Sequence, residues 1–201
     1  MKRGIVITTH VDNFATWFAD CFHSIQQAMS TQQRVYELLI VVNGMDPVNA
    51  SMLNWESAKG RDTCVMFNSW NGYELGGVMR GAEMFDEFVH IMDSCVVHDY
   101  RMFHYMFAFP VSVHLCPKFY SYLGKYKTEV LKRIGIPKIT TKDDAIKHEH
   151  HWHQQYLAAD PSSIQLEPIM PITTNTFEKK HGRMNMVLSN GYMTKYKGTW
   201  M

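Results

Sequence analysis

Asp86-Glu-Phe-Val-His-Ile-Met-Asp-Ser-Cys-Val-Val-His-Asp99 is an apolar run that ends in a small acidic turn, and its reading decides the fold. Phe88, Val89, Ile91 and Met92 suit a strand buried on both faces, and Asp93 arrives where that strand should end. Open α/β sheets bind ligands just beyond the carboxyl ends of their strands. A carboxylate at that point is a candidate ligand-facing group, against the plain reading of Asp93 as a turn residue. Asp99 precedes an aromatic segment, where an Asp is first a helix cap and second a candidate base.

Upstream, the chain reads as the units that build such a sheet. Gly4 to Thr8 is a first strand. Asp12 offers a cap for a helix whose apolar residues Phe14, Trp17, Phe18, Cys21, Phe22, Ile25 and Met29 keep helical spacing. Tyr36 to Val42 is a second strand, broken at Asn43-Gly44, and Asp46-Pro47 opens a helix through about Lys59. Thr63 to Phe67 is a third strand, and Tyr73 to Phe85 is a helix that buries Leu75, Val78, Met79 and Ala82. Strands alternating with helices predict right-handed crossovers and a mainly parallel sheet.

Beyond Asp99 the rhythm changes to that of a covering region, helical and irregular. Tyr100 to Phe109 is aromatic and helical, and Val111 to Leu115 fits an antiparallel edge strand. Tyr122 to Ile134 reads as an amphipathic helix with Lys125, Lys127, Lys132 and Arg133 outside. Thr141-Lys-Asp-Asp144 is a capping box that opens a helix to about Ala159. Asp160 to Pro171 is loop, and Phe177 to Trp200 is polar and basic with interleaved aromatics.

At 201 residues, 46% of them apolar, the chain is read as one domain over 1–201, with a binding half (1–99) and a covering half (100–201). A net charge of +1 argues against binding a polyanion through bulk charge. Cys21, Cys64, Cys95 and Cys116 form no C-x-x-C pair and read as free thiols of a cytoplasmic protein. The apolar run at the N-terminus is too short for a membrane span. No G-x-S-x-G elbow or Walker loop is present. His148-Glu-His-His-Trp-His153 fails the zincin spacing because position 152 is Trp, though His150 and His153 keep an i, i+3 spacing. Glu149 shares a stripe with Ala145, Trp152 and Tyr156, where a carboxylate needs either a buried partner or a task such as general base.

With the chain laid out, its first half resembles the nucleotide-binding half of a GT-A-fold glycosyltransferase. The resembling residues are Ile5-Val-Ile-Thr-Thr-His10, Glu37-Leu-Leu-Ile-Val-Val-Asn-Gly44, Asn71-Gly-Tyr-Glu-Leu-Gly-Gly77 through Glu83, and Phe88-Val-His-Ile-Met-Asp-Ser94. The resemblance implies a Rossmann-type sheet flanked by helices and transfer of a sugar from a nucleotide donor, a UDP-sugar first among them. Thr8, Thr9, His10, Asp12 and Asn43 would then hold the nucleoside. Gly76 and Gly77 would let a helix start approach the donor or simply pack on a strand. Arg183, Lys195 and Lys197 would fold over the diphosphate. It further implies Mn²⁺ or Mg²⁺ held at Asp93, but Asp93-Ser94-Cys95 lacks the second carboxylate of the family's Asp-x-Asp. Glu149 or Asp99 would serve as catalytic base. The acceptor is read as a saccharide or, through the basic face at Lys125, Lys127, Lys132 and Arg133, a hydroxymethylated base of phage DNA, in a bacterial or phage-infected cell. A protein that binds nucleotide sugar or glycan without catalysis is the alternative.

Overall fold

The computed structural model describes residues 1–32, 35–52, 62–114, 123–165 and 171–198. In chain order these form β1 (Arg3–His10), α1 (Ala19–Met29), β2 (Glu37–Asn43), β3 (Thr63–Asn68), α2 (Tyr73–Met84), β4 (Glu87–Met92), β5 (Cys95–Val97) and α3 (Arg101–Ala108). There follow β6 (Val113–His114), β7 (Gly124–Lys127), α4 (Thr128–Ile134), α5 (Lys142–Ala159), β8 (Ile164–Gln165), β9 (Thr174–Lys180), β10 (Arg183–Ser189) and β11 (Met193–Gly198).

The first sheet runs β3-β2-β1-β4-β7-β6-β8, with β3, β2, β1 and β4 mutually parallel and β7 antiparallel to β4. Side-chain alternation sends Ile5, Ile7, Ile40 and Ile91 to a core under α1 and α3, and Val6, Leu39, Val41 and Phe88 to a core under α2, α4 and α5. Both faces are covered, so the strands carry continuous apolar runs, as expected of a parallel sheet.

Several elements differ from their sequence reading. Asp12 does not cap the first helix: the His10 ring accepts from the Asp12 backbone N–H at 3.3 Å, and the Asp12 carboxylate is 83% exposed. The helix enters through a 3-10 turn (Val11–Asn13) and a π turn (Phe14–Phe18) before α1. Pro47 opens a short 3-10 helix, Pro47–Met52, and the rest of that expected helix lies outside the described residues. Val113–His114 is not an edge strand, because it pairs with β7 on one side and β8 on the other.

The expected helix from Tyr122 begins instead as strand β7. Gly124 holds φ +158°, and a Cβ there would lie 2.3 Å from the Val113 carbonyl oxygen, so only glycine allows the strand to close on β6. Lys125 is consequently fully buried rather than outside, and its Nζ donates to the Phe109 carbonyl at 2.5 Å with Glu87 at 4.0 Å. The basic face offered to DNA loses its central lysine.

The C-terminal region is also more regular than expected. A second, antiparallel sheet runs β5-β11-β10-β9. Its first hairpin turns at His181-Gly182 with φ +48° and +78°, both positive as a two-residue type I′ turn requires. The chain passes from the first sheet to the second between β4 and β5, at the turn Asp93-Ser94.

Candidate functional site

Parallel pairing aligns the carboxyl ends of the strands. Thr8 stands beside Val41 and Met92, His10 beside Asn43, and Asn43 beside Asn68. The Asp93 N–H donates to the Thr8 carbonyl at 2.9 Å, which carries the ladder one residue past β4 and fixes the carboxylate at this edge. Its Oδ2 accepts from Thr9 Oγ1 and from Asn13 Nδ2, both at 2.9 Å, and the Ser94 backbone N–H donates to the same carboxylate. Burial pushes the Asp93 carboxyl above its usual range, while the charge of Lys195 and these hydrogen bonds oppose that rise.

The second sheet delivers Lys195. In the pairing of β11 with β5, Lys195 lies opposite Cys95, and the Tyr196 N–H donates to the Ser94 carbonyl at 2.9 Å. Lys195 is 3% exposed, its ammonium donating to Ser94 Oγ and lying 3.4 Å from Met92 Sδ. These groups line a cavity of about 580 Å³, whose basic side chains are Lys142, Arg183, Lys195 and Lys197 and whose carboxylates are Asp93 and Glu74. The β9–β10 turn is fastened to α1: Lys180 Nζ and His181 Nε2 lie 2.8 and 2.9 Å from Asp20 Oδ2. Lys180 also sits 4.4 Å over the Tyr196 ring, and His181 meets the Trp17 ring edge-on at 4.6 Å. Arg183, which follows that turn, is thereby held at the cavity wall.

A smaller cavity of about 210 Å³ adjoins the first and shares Asn13, Glu74, Met92 and Asp93 with it. Thr8, Thr9, His10, Asn43, Asn71 and Tyr73 form the rest of its lining. Most of these are already engaged: besides Thr9 and His10, Thr8 Oγ1 bonds His90 Nε2 at 2.7 Å, Asn71 Oδ1 accepts from the Tyr73 N–H at 3.2 Å, and Asn43 accepts from Asn68 and donates to the Tyr73 carbonyl. The Asn43 bond supports a strained backbone, since Tyr73 holds φ +46°, a left-handed conformation that costs a non-glycine residue about 1–2 kcal/mol. Strain of this kind gathers at binding sites.

Of the residues singled out in the sequence, Thr8, Thr9, His10, Asn43, Asp93, Arg183, Lys195 and Lys197 meet in these adjoining cavities. Gly76 and Gly77 face the sheet: a Cβ at Gly76 would meet Asn43 Oδ1 at 2.6 Å, and one at Gly77 would meet Thr8 Oγ1 at 1.6 Å. Asp99 stands apart beside a cavity lined by Ser24 and Gln27, where Arg101 pairs with its carboxylate and holds it below the usual range. Asp12 is not among the residues lining either cavity at Asp93. Glu149 falls on α5, but its side chain lies outside the described residues, while its stripe neighbours Trp152 and Tyr156 are buried.

Sequence reasoning missed Asn13, Glu74, Ser94 and Lys142. Asn13 was hidden by the cap reading of Asp12, and Glu74 and Lys142 by their places in the first turns of helices, where charge is ordinary. The oxygen donors do not fit Mn²⁺ or Mg²⁺. Cys95, where the second carboxylate of the pattern would stand, is fully buried in the core. Asp93 already accepts three hydrogen bonds and faces an ammonium, and among the described residues no group of three His, Cys, Asp or Glu comes together.

No protein-family model matches the sequence, and no curated protein matches it. Solved structures do. S. aureus TarS residues 1–349 superposes with a TM-score of 0.58 at 11% identity, covering 83% of this chain and 58% of that one. A second S. aureus TarS structure gives 0.56 at 11% identity, over 83% and 35%. Galactosyltransferase LgtC in complex with donor and acceptor sugar analogs gives 0.50 at 10% identity, over 82% and 73%. The chain thus spans 58% and 35% of the two TarS chains it matches. At these identities the likeness establishes the fold, a mainly parallel α/β sheet of the GT-A type.

Proposed function

We propose that this chain transfers a sugar from a nucleotide-sugar donor to an acceptor hydroxyl. The observation that carries the reading is Lys195, a buried ammonium fixed beside Asp93 where two sheets meet, at the carboxyl edge that binds ligands in this architecture. The smaller cavity takes the nucleoside, a uridine first, between the β1 and β2 ends and the Asn71–Tyr73 turn. The larger takes the diphosphate and the sugar.

When the glycosidic carbon parts from the diphosphate, the bonding electron pair leaves with the phosphate oxygen. Preorganised cations act where that charge develops, and Lys195, with Arg183 and Lys197 at the wall, supplies them. The acceptor oxygen forms the new bond and gives up its proton. Glu74, the other carboxylate of the cavity lining, is assigned to take it. The acceptor is read as a saccharide, since burial of Lys125 leaves a DNA backbone only Lys127, Lys132 and Arg133 of the basic face.

The test is thermal unfolding against a panel of nucleoside diphosphates and nucleotide sugars, followed by assay of the stabilising donor for hydrolysis and transfer. A ligand at one hundred times its Kd stabilises by about 2.7 kcal/mol. One nucleotide should raise Tm in the wild type and not in Asp93→Ala, with turnover lost in Glu74→Gln. Binding without turnover would leave a non-catalytic nucleotide-sugar protein, and no shift with any nucleotide would end the donor-site reading.

A further inference from the structure

We propose that the Lys195 ammonium takes the place of the divalent cation at this site, so that the donor diphosphate binds without metal. The inference rests on the donor-site reading above. The position is decided by three features that do not depend on one another. First, the residue that would be the second metal ligand, Cys95, opens β5 with its side chain fully buried in the apolar core.

Second, the surviving carboxylate is spent. Asp93 Oδ2 accepts from two side chains, and the Ser94 backbone donates to the same group, which leaves little of a carboxylate's roughly four acceptor positions for a metal. Third, the space beside it holds a positive charge that the fold has fixed. Lys195 is drawn in by the pairing of β11 with β5, its neighbour Tyr196 is tied to the Ser94 carbonyl, and its ammonium donates to Ser94 Oγ. A divalent ion next to Asp93 would face this buried charge at low dielectric, with little water to screen it.

The charges of the cavity agree. Lys142, Arg183, Lys195 and Lys197 stand against Asp93 and Glu74, an excess of two positive charges among the lining residues. A nucleotide sugar carries about two negative charges on its diphosphate, so the complex is close to neutral as it stands. Added Mn²⁺ would restore the excess of two positive charges.

The experiment is titration calorimetry of uridine diphosphate, and of the other nucleoside diphosphates, into the whole protein in EDTA and then in Mn²⁺. The expected result is an affinity that changes less than about twofold between the two. Lys195→Met, folded by circular dichroism, should weaken the diphosphate about 10- to 100-fold, the usual worth of a hydrogen bond to a charged group, and leave the nucleoside alone unchanged. Wild-type binding that disappears in EDTA and returns with Mn²⁺ would overturn the inference while keeping the donor site. Unweakened binding to Lys195→Met would overturn it too. Absence of binding in both buffers would overturn the donor-site reading and this inference together. Should Lys195→Met not fold, the wild-type titration decides by itself.

Discussion

Replacing Gly77 by alanine separates a packing glycine from a ligand-binding one. A Cβ at this position lies 1.6 Å from Thr8 Oγ1, 2.9 Å from Thr8 Cβ and 3.2 Å from His90 Nε2. Ordinary contact therefore requires α2 and β1 to part by well over 1 Å, at a point where both are buried. Overpacking of this size costs about 1–3 kcal/mol. The displaced hydroxyl also gives up its 2.7 Å bond to His90, and disturbing a buried polar pair costs about 1–3 kcal/mol more. The helix propensity of alanine returns about 1 kcal/mol, so the expected net loss is about 1–5 kcal/mol. Urea unfolding read by circular dichroism measures it as a lower midpoint at constant m-value. Thr8→Ala in the same chain removes the closest clashing atom and should recover part of the loss. Gly198→Ala, where a Cβ meets nothing within 4 Å among the described residues, should stay within about 0.5 kcal/mol of wild type. An unchanged midpoint for Gly77→Ala with loss of nucleotide binding would refute the packing argument and return Gly77 to the donor site.

Lys125 should make stability rise with pH. Burial pushes its ammonium down to about 8, so between pH 8 and the ordinary lysine value near 10.5 the unfolded chain binds more protons than the folded one. The free-energy difference between wild type and Lys125→Met, from urea unfolding, should therefore shift by about 2 kcal/mol in favour of wild type from pH 7.5 to pH 10. A difference that stays flat would show that the buried amine keeps its ordinary lysine value in the folded chain. At Asp20, burial raises the carboxyl but Lys180 and His181 outweigh it, so its value is lowered. What this carboxylate contributes is present above the ordinary range and fades as pH falls through its folded value, below about 4. Asp20 is partly exposed, so Asp20→Asn should cost less than about 1 kcal/mol globally, yet it should speed amide exchange across the β9–β10 turn and weaken diphosphate binding at Arg183. Unchanged exchange at that turn would show that the ion pairs do not hold it.

What the sequence revealed, and what it hid, follows from how each element buries its side chains. Strands β1, β2 and β4 are covered on both faces, so their continuous apolar runs stand out, and with them the strand-end residues Thr8, Thr9, Asn43 and Asp93. Helices α2 and α5 declared themselves by spacing and by the Thr141 box, whose Oγ1 accepts from the Asp144 N–H at 3.1 Å. Strand β7 was hidden because a period-2 run of four residues leads straight into α4, and its lysines look like a solvated helix face. Only Gly124 hinted otherwise. Strand β9 has one buried face at most and reads as polar, so the hairpin signal lay in His181-Gly182 rather than in hydrophobicity.

That hidden sheet is what completes the site. Asp93 ends β4 and Ser94 begins the passage to β5, so one turn belongs to both sheets, and anything that shifts β11 along β5 moves Lys195 relative to Asp93. The register of this antiparallel pair is specified by alternation: Met193 and Lys195 point inward with Val97 and Cys95 as their partners. A slip by one residue would turn Lys195 out and Tyr196 in, since side chains change face with each step. The apolar Cys95 therefore has a use that a second carboxylate would not. An acid at this position would pull a buried charge into the core and compete with Ser94 for the lysine, whereas a small hydrophobe lets the strand seat and sets the ammonium beside Asp93. The apolar residue at 95 and the buried lysine at 195 thus belong to one arrangement, written in parts of the sequence a hundred residues apart.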